Sequence, residues 1–196
     1  MNKLGFFLGS FDPPHIGHLQ VAIECLNNKL VDKVIYVPAK QNPFKKNSLN
    51  IDHRINMLNN LINEYNLKKE IEISSIEKDL NTNENGEVYS YITLDILFNK
   101  LYKDYNCYWI LSTETFEQIY SWKNSELLKS FKKLIGYNSR PYYYYDFLEW
   151  NIKDWFKIYN TPHSSSLRET IKNDKSPYPF ISKSVYNYIK QNNLYI

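Results

Sequence analysis

Glycine is scarce in this sequence, and the two glycine-rich signatures that most often mark nucleotide-binding loops are missing. The chain has 5 glycines in 196 residues. None of them forms the G-x-G-x-x-G of dinucleotide-binding folds, and no glycine is followed by the Lys-Ser/Thr that ends a P-loop. If the protein binds a phosphate group, it must do so with other residue types.

Cysteines and long apolar segments are also few. Cys25 and Cys107 lie in apolar contexts without a metal-like or redox-like neighbour, which favours reduced, buried thiols of an intracellular protein. No segment approaches the roughly 18 consecutive apolar residues that a membrane span needs. The residues after Met1 already read as a strand and not as a signal peptide. We therefore expect a cytoplasmic protein, with the nucleus left open, and no membrane partner.

A large charge of either sign is absent as well. The formal net charge is +3, whereas a nucleic-acid-binding protein usually carries a larger and more clustered basic surplus. Hydrophobic residues make up 43% of the 196 residues, which fits one globular domain with a substantial core. We therefore expect a single domain over residues 1–196 and no nucleic-acid partner, and we leave homo-oligomerisation open.

Apolar residues follow two periodicities along the chain. Short apolar runs predict strands at residues 3–8, 33–37, 71–76, 107–111 and 133–137. Spacings of three and four predict helices that begin at His18 and at an Asp52 cap, and further helices over 91–105, 125–131 and after Ser164. This alternation is typical of an α/β fold, a Rossmann-like doubly wound parallel sheet with helices on both faces. Residues 138–160 carry no clear pattern, and the C-terminal helical segment 164–196 is expected to pack on the sheet.

The most informative segment runs from Gly9 to His18, between the first strand and the first helix. Doubly wound sheets bind ligands at this end of their strands, and a helix start offers free N–H groups and the positive end of a dipole to a phosphate. Because His15 and His18 are three residues apart, both imidazoles can donate hydrogen bonds to one phosphate. Gly17 lets a nucleotide approach the backbone closely. The alternative for either histidine is a helix cap or a surface group.

A second polar segment, Ser164 to Arg168, opens a helix near the C-terminus. Hydroxyl groups at a helix start are ordinary N-caps, but the cationic Arg168 in the first turn opposes the helix dipole. A bound anion would remove this conflict, since a planar guanidinium suits the β and γ phosphates of ATP. Taken alone this motif is weak evidence, and its weight comes from its pairing with the first segment.

The first segment resembles the G-x-F-D-P-x-H-x-G-H signature of the nucleotidyltransferase superfamily, and its Phe-Asp-Pro start is most similar to the bacterial nicotinate/nicotinamide mononucleotide adenylyltransferases. The second segment resembles the S-S-T-x-x-R element of the same family. This resemblance implies the HxGH nucleotidyltransferase fold. It also implies that His15, His18 and Arg168 are catalytic, and that ATP contacts Gly9, Ser10, Phe11, Gly17, Lys45, Ser165 and Ser166.

Several segments between the two sites are similar to the same enzymes. Residues 38–45 resemble a P-x-x-x-P-P-H-K loop, with Phe44 in place of the histidine, and 53–58 match an H-R-x-x-M-L helix start. Residues 109–114 resemble a strand that ends in I-I-G-x-D, with Ser112 and Glu114 replacing Gly and Asp. The resemblance implies that the mononucleotide contacts Ser90, Tyr91, Ser112, Glu114, Trp122, Lys123 and Arg140. Trp122 would stack on the pyridine ring; its alternative role is a core anchor.

The activity that the resemblance implies is adenylyl transfer from ATP to nicotinate mononucleotide, which gives nicotinate adenine dinucleotide and pyrophosphate in NAD biosynthesis. Magnesium would be the cofactor, held by the substrate phosphates and not by a protein metal site. The alternatives left open are nicotinamide mononucleotide or phosphopantetheine as acceptor, and a non-catalytic nucleotide-binding protein. Intact phosphate-binding residues favour an enzyme over the last of these.

Overall fold

Six strands form one sheet within the residues that the computed structural model describes, which are 2–41, 48–81, 83, 86–138, 149–159 and 162–196. The strands are β1 (Lys3–Gly9), β2 (Lys33–Pro38), β3 (Ile71–Ile73), β4 (Asn106–Ser112), β5 (Lys133–Tyr137) and β6 (Ile152–Lys157). Their order is β3-β2-β1-β4-β5-β6, and every neighbouring pair is parallel. The strand order reverses between β1 and β4, so the doubly wound sheet predicted from the sequence is confirmed.

In the described part of the chain, helices lie between the successive strands from β1 to β5, and two more follow β6. They are α1 (Ile16–Asn27), α2 (Ile51–Glu64), α3 (Ile76–Asp79), α4 (Ser90–Asp95), α5 (Thr113–Gln118), α6 (Ser125–Leu128), α7 (Ser164–Lys172) and α8 (Lys183–Gln191). A π-helical turn, Ile96–Leu101, continues α4, and a 3₁₀ turn, Ile119–Ser121, continues α5.

Both faces of the sheet are covered, as the strand β2 illustrates. Val34 and Tyr36 belong to the largest buried cluster, which also contains apolar side chains of α1, α2, α7 and α8. Ile35 and Val37 belong instead to a cluster with Leu97 of the π-helical turn. Successive side chains of a strand point to opposite faces, so the continuous apolar run of β2 reflects burial on both sides.

The start of α2 differs from the prediction. Asp52 was expected to cap this helix, and that expectation is wrong. Asn50 is the cap, because its side chain accepts a hydrogen bond from the backbone N–H of Asp52 at 2.9 Å. Asp52 lies in the first turn and pairs with Lys78, with 2.5 Å between Oδ1 and Nζ. Asn and Asp are equally good N-caps, and local sequence alone does not separate two candidates that lie two residues apart.

Several element boundaries also differ from the sequence-based expectations. β3 ends at Ile73 because the chain turns into α3 three residues later. The helix expected over 91–105 is α4 followed by the π-helical turn, and the one expected over 125–131 ends at Leu128. β6 was not predicted. Its pairing with β5 includes a register shift at Lys133/Leu134, and its burial does not alternate strictly, so it lacks the period of two that marks a strand.

Lys133 begins β5 with its side chain inside the core. Its Nζ lies 2.7 Å from the carbonyl oxygens of Leu128 and Phe131, and 5.7 Å from the ring centroids of Trp109 and Trp150. Burial lowers the pKa of Lys133 to about 7. A neutral amine retains two N–H groups, which matches the two carbonyl acceptors. The core can therefore hold this side chain in its uncharged form.

Replacing Lys133 with methionine is expected to change how the free energy of unfolding depends on pH. The unfolded chain keeps the lysine proton up to about pH 10.4, whereas the buried group loses it near a pKa of about 7. The unfolded state therefore binds more protons above this pKa, and stability rises with pH. Between about pH 6 and pH 8.5 the unsubstituted protein should gain about 2 kcal/mol relative to Lys133→Met. Urea unfolding of both proteins tests this, and equal pH dependences would contradict it.

Candidate active site

A cavity of about 730 Å³ opens at the carboxyl ends of the central strands. The residues that immediately follow β1, β2 and β5, which are Ser10, Ala39 and Asn138, all line it, as does Ser112 at the end of β4. This is the edge at which doubly wound sheets bind ligands. The following residues that the sequence pointed to also line the cavity: Gly9, Ser10, Phe11, His15, Gly17, His18, Ser90, Tyr91, Ser112, Glu114, Trp122, Lys123 and Ser165.

Two described residues of the sequence-based site, Ser166 and Arg168, are not among the residues that line this cavity, and they lie further along α7 than Ser165. Lys45 and Arg140 lie outside the described residues.

The start of α1 is built by the two histidines themselves. His15 is the N-cap, and its Nδ1 accepts a hydrogen bond from the backbone N–H of Gly17 at 3.1 Å. In return the Nδ1 of His18 accepts from the backbone N–H of His15, also at 3.1 Å. The two ring centroids are 3.8 Å apart. This reciprocal pair is a capping box made of imidazoles, in positions that Ser or Thr and Glu or Gln usually occupy.

The capping box determines where each neutral imidazole carries its proton. A ring nitrogen that accepts a hydrogen bond cannot hold a proton, so Nδ1 is unprotonated in both rings and Nε2 bears the N–H. Both side chains line the cavity. The segment therefore supplies two Nε2–H donors from one helix turn. The capping and phosphate-binding roles, which looked like alternatives in the sequence, are performed by different atoms of the same rings.

The backbone donors of α1 are occupied, which corrects one expectation. Free N–H groups at this helix start were expected to bind phosphate. In the structure the N–H of Ile16 donates to the carbonyl of Phe180 at 2.9 Å, and that of His18 donates to the carbonyl of His15 at 3.0 Å. The N–H of Gly17 is used by the imidazole cap. A ligand at this helix start would therefore have to be bound by side chains and not by the backbone amides.

Two buried aromatic side chains contact His18 and fix its position. The hydroxyl of Tyr36 donates to the carbonyl of His18 at 3.1 Å. The Phe11 ring packs edge-on against the His18 ring, with 5.0 Å between centroids. Phe11 has a φ of 50°, a left-handed conformation that is uncommon for a bulky residue. The close packing of Phe11 and Tyr36, whose centroids are 5.2 Å apart, holds it there.

The start of α7 lies in the same cavity and is arranged differently. His163 is its N-cap but makes no side-chain capping bond. Ser164 Oγ donates to the carbonyl of Pro13 at 3.1 Å, which ties this helix to the first segment. Among the described residues no acceptor lies on the backbone N–H groups of Ser165 and Ser166. A helix of this length with open first-turn N–H groups attracts an anion.

Arg168 extends from α7 toward the loop after β1. Its Nη1 donates to the carbonyl of Asp12 at 2.5 Å and lies 3.8 Å from the Asp12 Oδ2. The side chain keeps 31% of its surface exposed. Among the described residues, the Asp12 carbonyl is the one hydrogen-bond acceptor of this guanidinium, which has five N–H groups. The structure thus places a permanent positive charge beside the segment that carries the two histidines.

Asp12 is the buried centre of this loop. Its Oδ1 accepts from the hydroxyl of Tyr195 at 2.5 Å, and its Oδ2 accepts from the backbone N–H of Leu49 at 3.3 Å. Burial raises the pKa of Tyr195, and the charge of Asp12 raises it further, so the phenol stays protonated and donating. A residue near the C-terminus therefore helps to shape the first segment.

Arg54 joins the loop after β1 to both ends of the loop between β2 and α2, a role that was not predicted from the sequence. The side chain is 1% exposed, and it donates from Nη1 to the carbonyl of Ser10 at 2.7 Å. Its Nε donates to the carbonyl of Leu49 at 2.8 Å, and its Nη2 donates to the carbonyl of Lys40 at 3.1 Å. Burial lowers the pKa of Arg54, and the nearby carboxylates of Asp12 and Glu77 oppose that shift. The guanidinium stays charged.

Glu77 joins two walls of the cavity. It is 3% exposed, it accepts from the backbone N–H of Lys40 at 2.9 Å, and it accepts from the hydroxyl of Thr93 at 2.7 Å. Burial raises its pKa, and its hydrogen bonds to Thr93 and Lys40 work in the opposite direction. The loop after β2 and the helix α4 are thus held together by one carboxylate.

The far end of the cavity is aromatic. Trp122 is half-buried and packs against Trp109, with 6.2 Å between ring centroids. Tyr89 and Tyr91 stack with their planes 11° apart. The Nζ of Lys123 lies 4.8 Å from the centroid of the Tyr89 ring. Tyr89, which the sequence analysis did not single out, therefore belongs to the site, although nothing in the local pattern separates it from the chain's 18 tyrosines.

Polar side chains at the starts of α5 and α7 also line the cavity. The Oγ of Ser112 accepts from the backbone N–H of Thr115 at 3.2 Å and so caps α5. Glu114 Oε2 lies 3.8 Å from Nδ1 of His163, which links the starts of α5 and α7 across the cavity. Ser112 and Glu114, the two residues that depart from the pattern that the sequence resembles, both line the cavity.

Two further features bear on cofactors and location. Among the described residues there is no group of three or more His, Cys, Asp or Glu side chains that could hold a metal ion. None of the described helices is long and apolar enough to cross a membrane.

The chain is similar to characterised protein families over nearly its whole length. A profile of the cytidylyltransferase-like family matches residues 6–179. A probable nicotinate-nucleotide adenylyltransferase of Methylacidiphilum infernorum (isolate V4) is 30% identical over 196 residues, which cover 99% of this chain and 92% of the relative. A protein of the same name from Bacillus licheniformis is 31% identical over 203 residues, which cover 100% of this chain and 99% of the relative.

Solved structures share the fold. Plasmodium falciparum nicotinic acid mononucleotide adenylyltransferase complexed with NaAD has a TM-score of 0.76 and 22% identity, with 100% of this chain and 98% of that chain covered. The same protein complexed with APC has a TM-score of 0.77 and 20% identity over the same shares. These similarities confirm the Rossmann-like nucleotidyltransferase fold.

Proposed function

We propose, because this chain belongs to the cytidylyltransferase-like family and within it to the nicotinate-nucleotide adenylyltransferases, that it transfers the adenylyl group of ATP to nicotinate mononucleotide. The products are nicotinate adenine dinucleotide, a precursor of NAD, and pyrophosphate. The single observation that carries this proposal is the pair of capped imidazoles, His15 and His18, which share one cavity with the open start of α7.

In the proposed reaction an oxygen of the mononucleotide phosphate attacks the α-phosphorus of ATP. A bond forms between that oxygen and the α-phosphorus. The bond to the oxygen that bridges the α- and β-phosphorus breaks, and pyrophosphate leaves with its electron pair. The attacking phosphate is already an anion at neutral pH, so no general base is needed. The work of the site is to position the two substrates and to stabilise the charge that develops on the phosphates.

The starts of α1 and α7 contact different phosphates in the proposed reaction. The Nε2–H groups of His15 and His18 donate to oxygens of the α- and β-phosphates. Ser165, Ser166 and Arg168 hold the leaving pyrophosphate through backbone N–H groups, hydroxyls and a fixed positive charge. Support comes from the open N–H groups of α7 and from Arg168, which already contacts the loop that carries His15. Gly9, Ser10, Phe11 and Gly17 form the floor beneath the ATP. Lys45 and Arg140 are proposed as further contacts to the phosphate groups and the mononucleotide.

Magnesium fits this site through its substrate. Mg²⁺ is usually bound by one or two carboxylates together with substrate phosphates, and it rarely occupies a cage made only of protein. The phosphates of ATP would carry the ion, and it would neutralise part of their charge. The partners proposed are therefore small molecules, ATP with Mg²⁺ and the mononucleotide. The two buried free cysteines agree with the cytoplasmic location that we propose.

The aromatic end of the cavity receives the mononucleotide. Trp122 presents a flat face for the pyridine ring, and Ser90, Tyr91, Ser112 and Glu114 line the wall around it. Trp122→Leu is expected to raise the KM for nicotinate mononucleotide by roughly 10-fold, with little change in the KM for ATP, because stacking on an aromatic side chain is lost. Trp122→Phe keeps a smaller aromatic face and should have an intermediate KM. Steady-state kinetics with each substrate varied in turn measures this, and an equal rise in both KM values would argue for a core role of Trp122.

Pyrophosphate release in the presence of ATP and Mg²⁺ tests the activity itself. Nicotinate mononucleotide, nicotinamide mononucleotide and phosphopantetheine should be compared side by side at equal concentration. The proposal requires release with a mononucleotide, and nicotinate mononucleotide should give the highest kcat/KM. Release with phosphopantetheine alone would assign another acceptor to the same site, and no release with any of the three would indicate a nucleotide-binding protein without catalysis.

A further inference from the structure

Lys123 brings a positive charge into a cavity that is also lined by three glutamates. Among the described residues that line the cavity, Lys123 is the single lysine and there is no arginine, whereas Glu77, Glu87 and Glu114 contribute carboxylates. Nicotinate mononucleotide brings a carboxylate on its pyridine ring in addition to its phosphate, and nicotinamide mononucleotide brings a neutral amide. A lysine ammonium in this cavity can distinguish these two substituents by charge.

The neighbouring carboxylates do not compete for this ammonium group in the described part of the chain. Glu77 accepts from Lys40 and Thr93. Glu87 accepts from the side-chain amide of Asn83 at 2.8 Å, and Glu114 lies near His163. None of the ion pairs among the described residues includes Lys123. Its charge therefore remains available to an anionic ligand.

Tyr89 is the group that holds Lys123 in place. The Lys123 Nζ lies 4.8 Å from the centroid of the Tyr89 ring, within the range in which a cation is attracted to an aromatic face. Lys123 is an exposed side chain with four rotatable carbons, and such a side chain samples many rotamers unless something restrains it. The ring face restrains the ammonium without neutralising it, which a carboxylate partner would do.

Tyr89 is itself fixed by a local network. The amide of Asn83 donates to the Tyr89 hydroxyl at 2.9 Å, and the side-chain carbonyl of Asn83 accepts from the backbone N–H of Glu87 at 2.9 Å. Tyr89 also stacks against Tyr91, with 6.1 Å between ring centroids. The ring is therefore a rigid platform at the wall of the cavity.

We propose that Tyr89 is a positioning residue that holds Lys123 where its ammonium meets the carboxylate of nicotinate, and that this pair sets the preference for the acid over the amide. Trp122, the proposed stacking partner of the pyridine ring, directly precedes Lys123 and lines the same cavity, so the proposal brings the ammonium close to the substituent of that ring. This inference rests on the proposed function and deepens it, since it names the residues that select between two substrates of one site.

The ratio of kcat/KM for nicotinate mononucleotide to kcat/KM for nicotinamide mononucleotide tests the inference. Lys123→Met should lower this ratio by about 10-fold or more, because a charge-assisted hydrogen bond is lost for one substrate alone. Tyr89→Leu should lower it by about 2- to 5-fold, since the ammonium loses its platform. Tyr89→Phe keeps the ring and should keep the ratio close to that of the unsubstituted protein. General damage to the site would reduce both activities together and leave the ratio unchanged.

Lys190 and Tyr186 provide a matched control. They form a similar pair on α8, with Nζ 5.7 Å from the ring centroid, and neither lines the cavity. Lys190→Met and Tyr186→Leu should leave the ratio unchanged. An unchanged ratio in Lys123→Met would overturn the inference, and a fall in Lys123→Met without any fall in Tyr89→Leu would overturn the role of Tyr89. Both results presuppose measurable turnover, so they differ from failure of the proposed function, in which neither mononucleotide supports pyrophosphate release.

Discussion

His18→Ala is expected to lower kcat by about 10²-fold or more while the protein stays folded. The loss follows from the removal of one of two donors that the capping box holds ready for the phosphates before ATP binds. A preorganised donor needs no rearrangement as charge develops, and this makes it worth more than a donor in water. The KM for nicotinate mononucleotide should change much less, since the proposed contacts of His18 are with ATP. Pyrophosphate release and thermal unfolding of the same preparation measure both consequences.

Two further variants separate the catalytic role of His18 from its capping role. His18→Glu keeps a side-chain acceptor for the N–H of His15, as in an ordinary capping box, but it replaces the Nε2–H donor with a negative charge. It should melt close to the unsubstituted protein and lose at least as much activity as His18→Ala. His53 lies on α2, where its ring contacts the hydroxyl of Tyr188 at 2.9 Å, and it does not line the cavity. His53→Ala should keep full turnover. Normal turnover of a folded His18→Ala protein would contradict the proposed chemistry.

Arg54→Met is expected to lower the free energy of unfolding by about 3 kcal/mol or more and to abolish measurable activity. Removal of one partner from a buried charged network costs about 3 to 5 kcal/mol. Here three carbonyls, those of Ser10, Lys40 and Leu49, would lose their donors in the interior. The carboxylates of Asp12 and Glu77 would also lose a nearby positive charge. Urea unfolding measures the loss of stability, and ATP binding by calorimetry measures the loss of the site.

Arg54→Lys tests whether the charge of Arg54 or the geometry of its guanidinium is required. Lysine keeps the charge but cannot place three donors in the fixed plane of a guanidinium, so it should recover only part of the stability and little of the activity. Lys78, whose ammonium pairs with Asp52 on the surface, offers a contrast. Lys78→Met should change the free energy of unfolding very little, because exposed ion pairs contribute little to stability. Full stability of Arg54→Lys would mean that charge, and not the fork geometry, is what the loops require.

The fold could be predicted because its signals are local and repeated. The continuous apolar runs of β1 and β2 indicated strands buried on both faces, and the three-and-four spacing after His18 indicated a helix. The first segment was predicted at the carboxyl end of β1, and the structure places it there. β6 could not be predicted, because a strand whose burial is irregular carries no period to detect.

The capping geometry explains the main error in the site. Sequence spacing placed His15 and His18 on one side of a helix turn, and this was sufficient to predict a phosphate site. It could not specify that the His15 imidazole and two backbone carbonyls would occupy the backbone donors that were expected to bind the phosphate. Which atom of a ring faces the backbone depends on side-chain torsions, and these are decided by packing against Phe11 and Tyr36.

Residues that act through other residues were the hardest to find. Arg54 could have been recognised, because it lies on the same face of α2 as Met57, Leu58 and Leu61. A cation on an apolar helix face is buried only when it has hydrogen-bond or ionic partners. Glu77 and Tyr89 could not have been recognised in this way. Their partners, Thr93 and Lys123, are 16 and 34 residues away, and nothing in the local sequence indicates that they meet.

The loop that carries Asp12 is completed from the opposite end of the chain. Tyr195 and Arg168 both donate hydrogen bonds to Asp12, from positions that are 183 and 156 residues further along the sequence. Contacts between such distant segments close very large loops, and they become favourable only after most of the intervening structure has formed. The shape that binds ATP is therefore one of the last things that folding produces. A chain whose sheet has formed but whose final helix has not yet docked therefore contains the complete signature sequence and still cannot bind ATP.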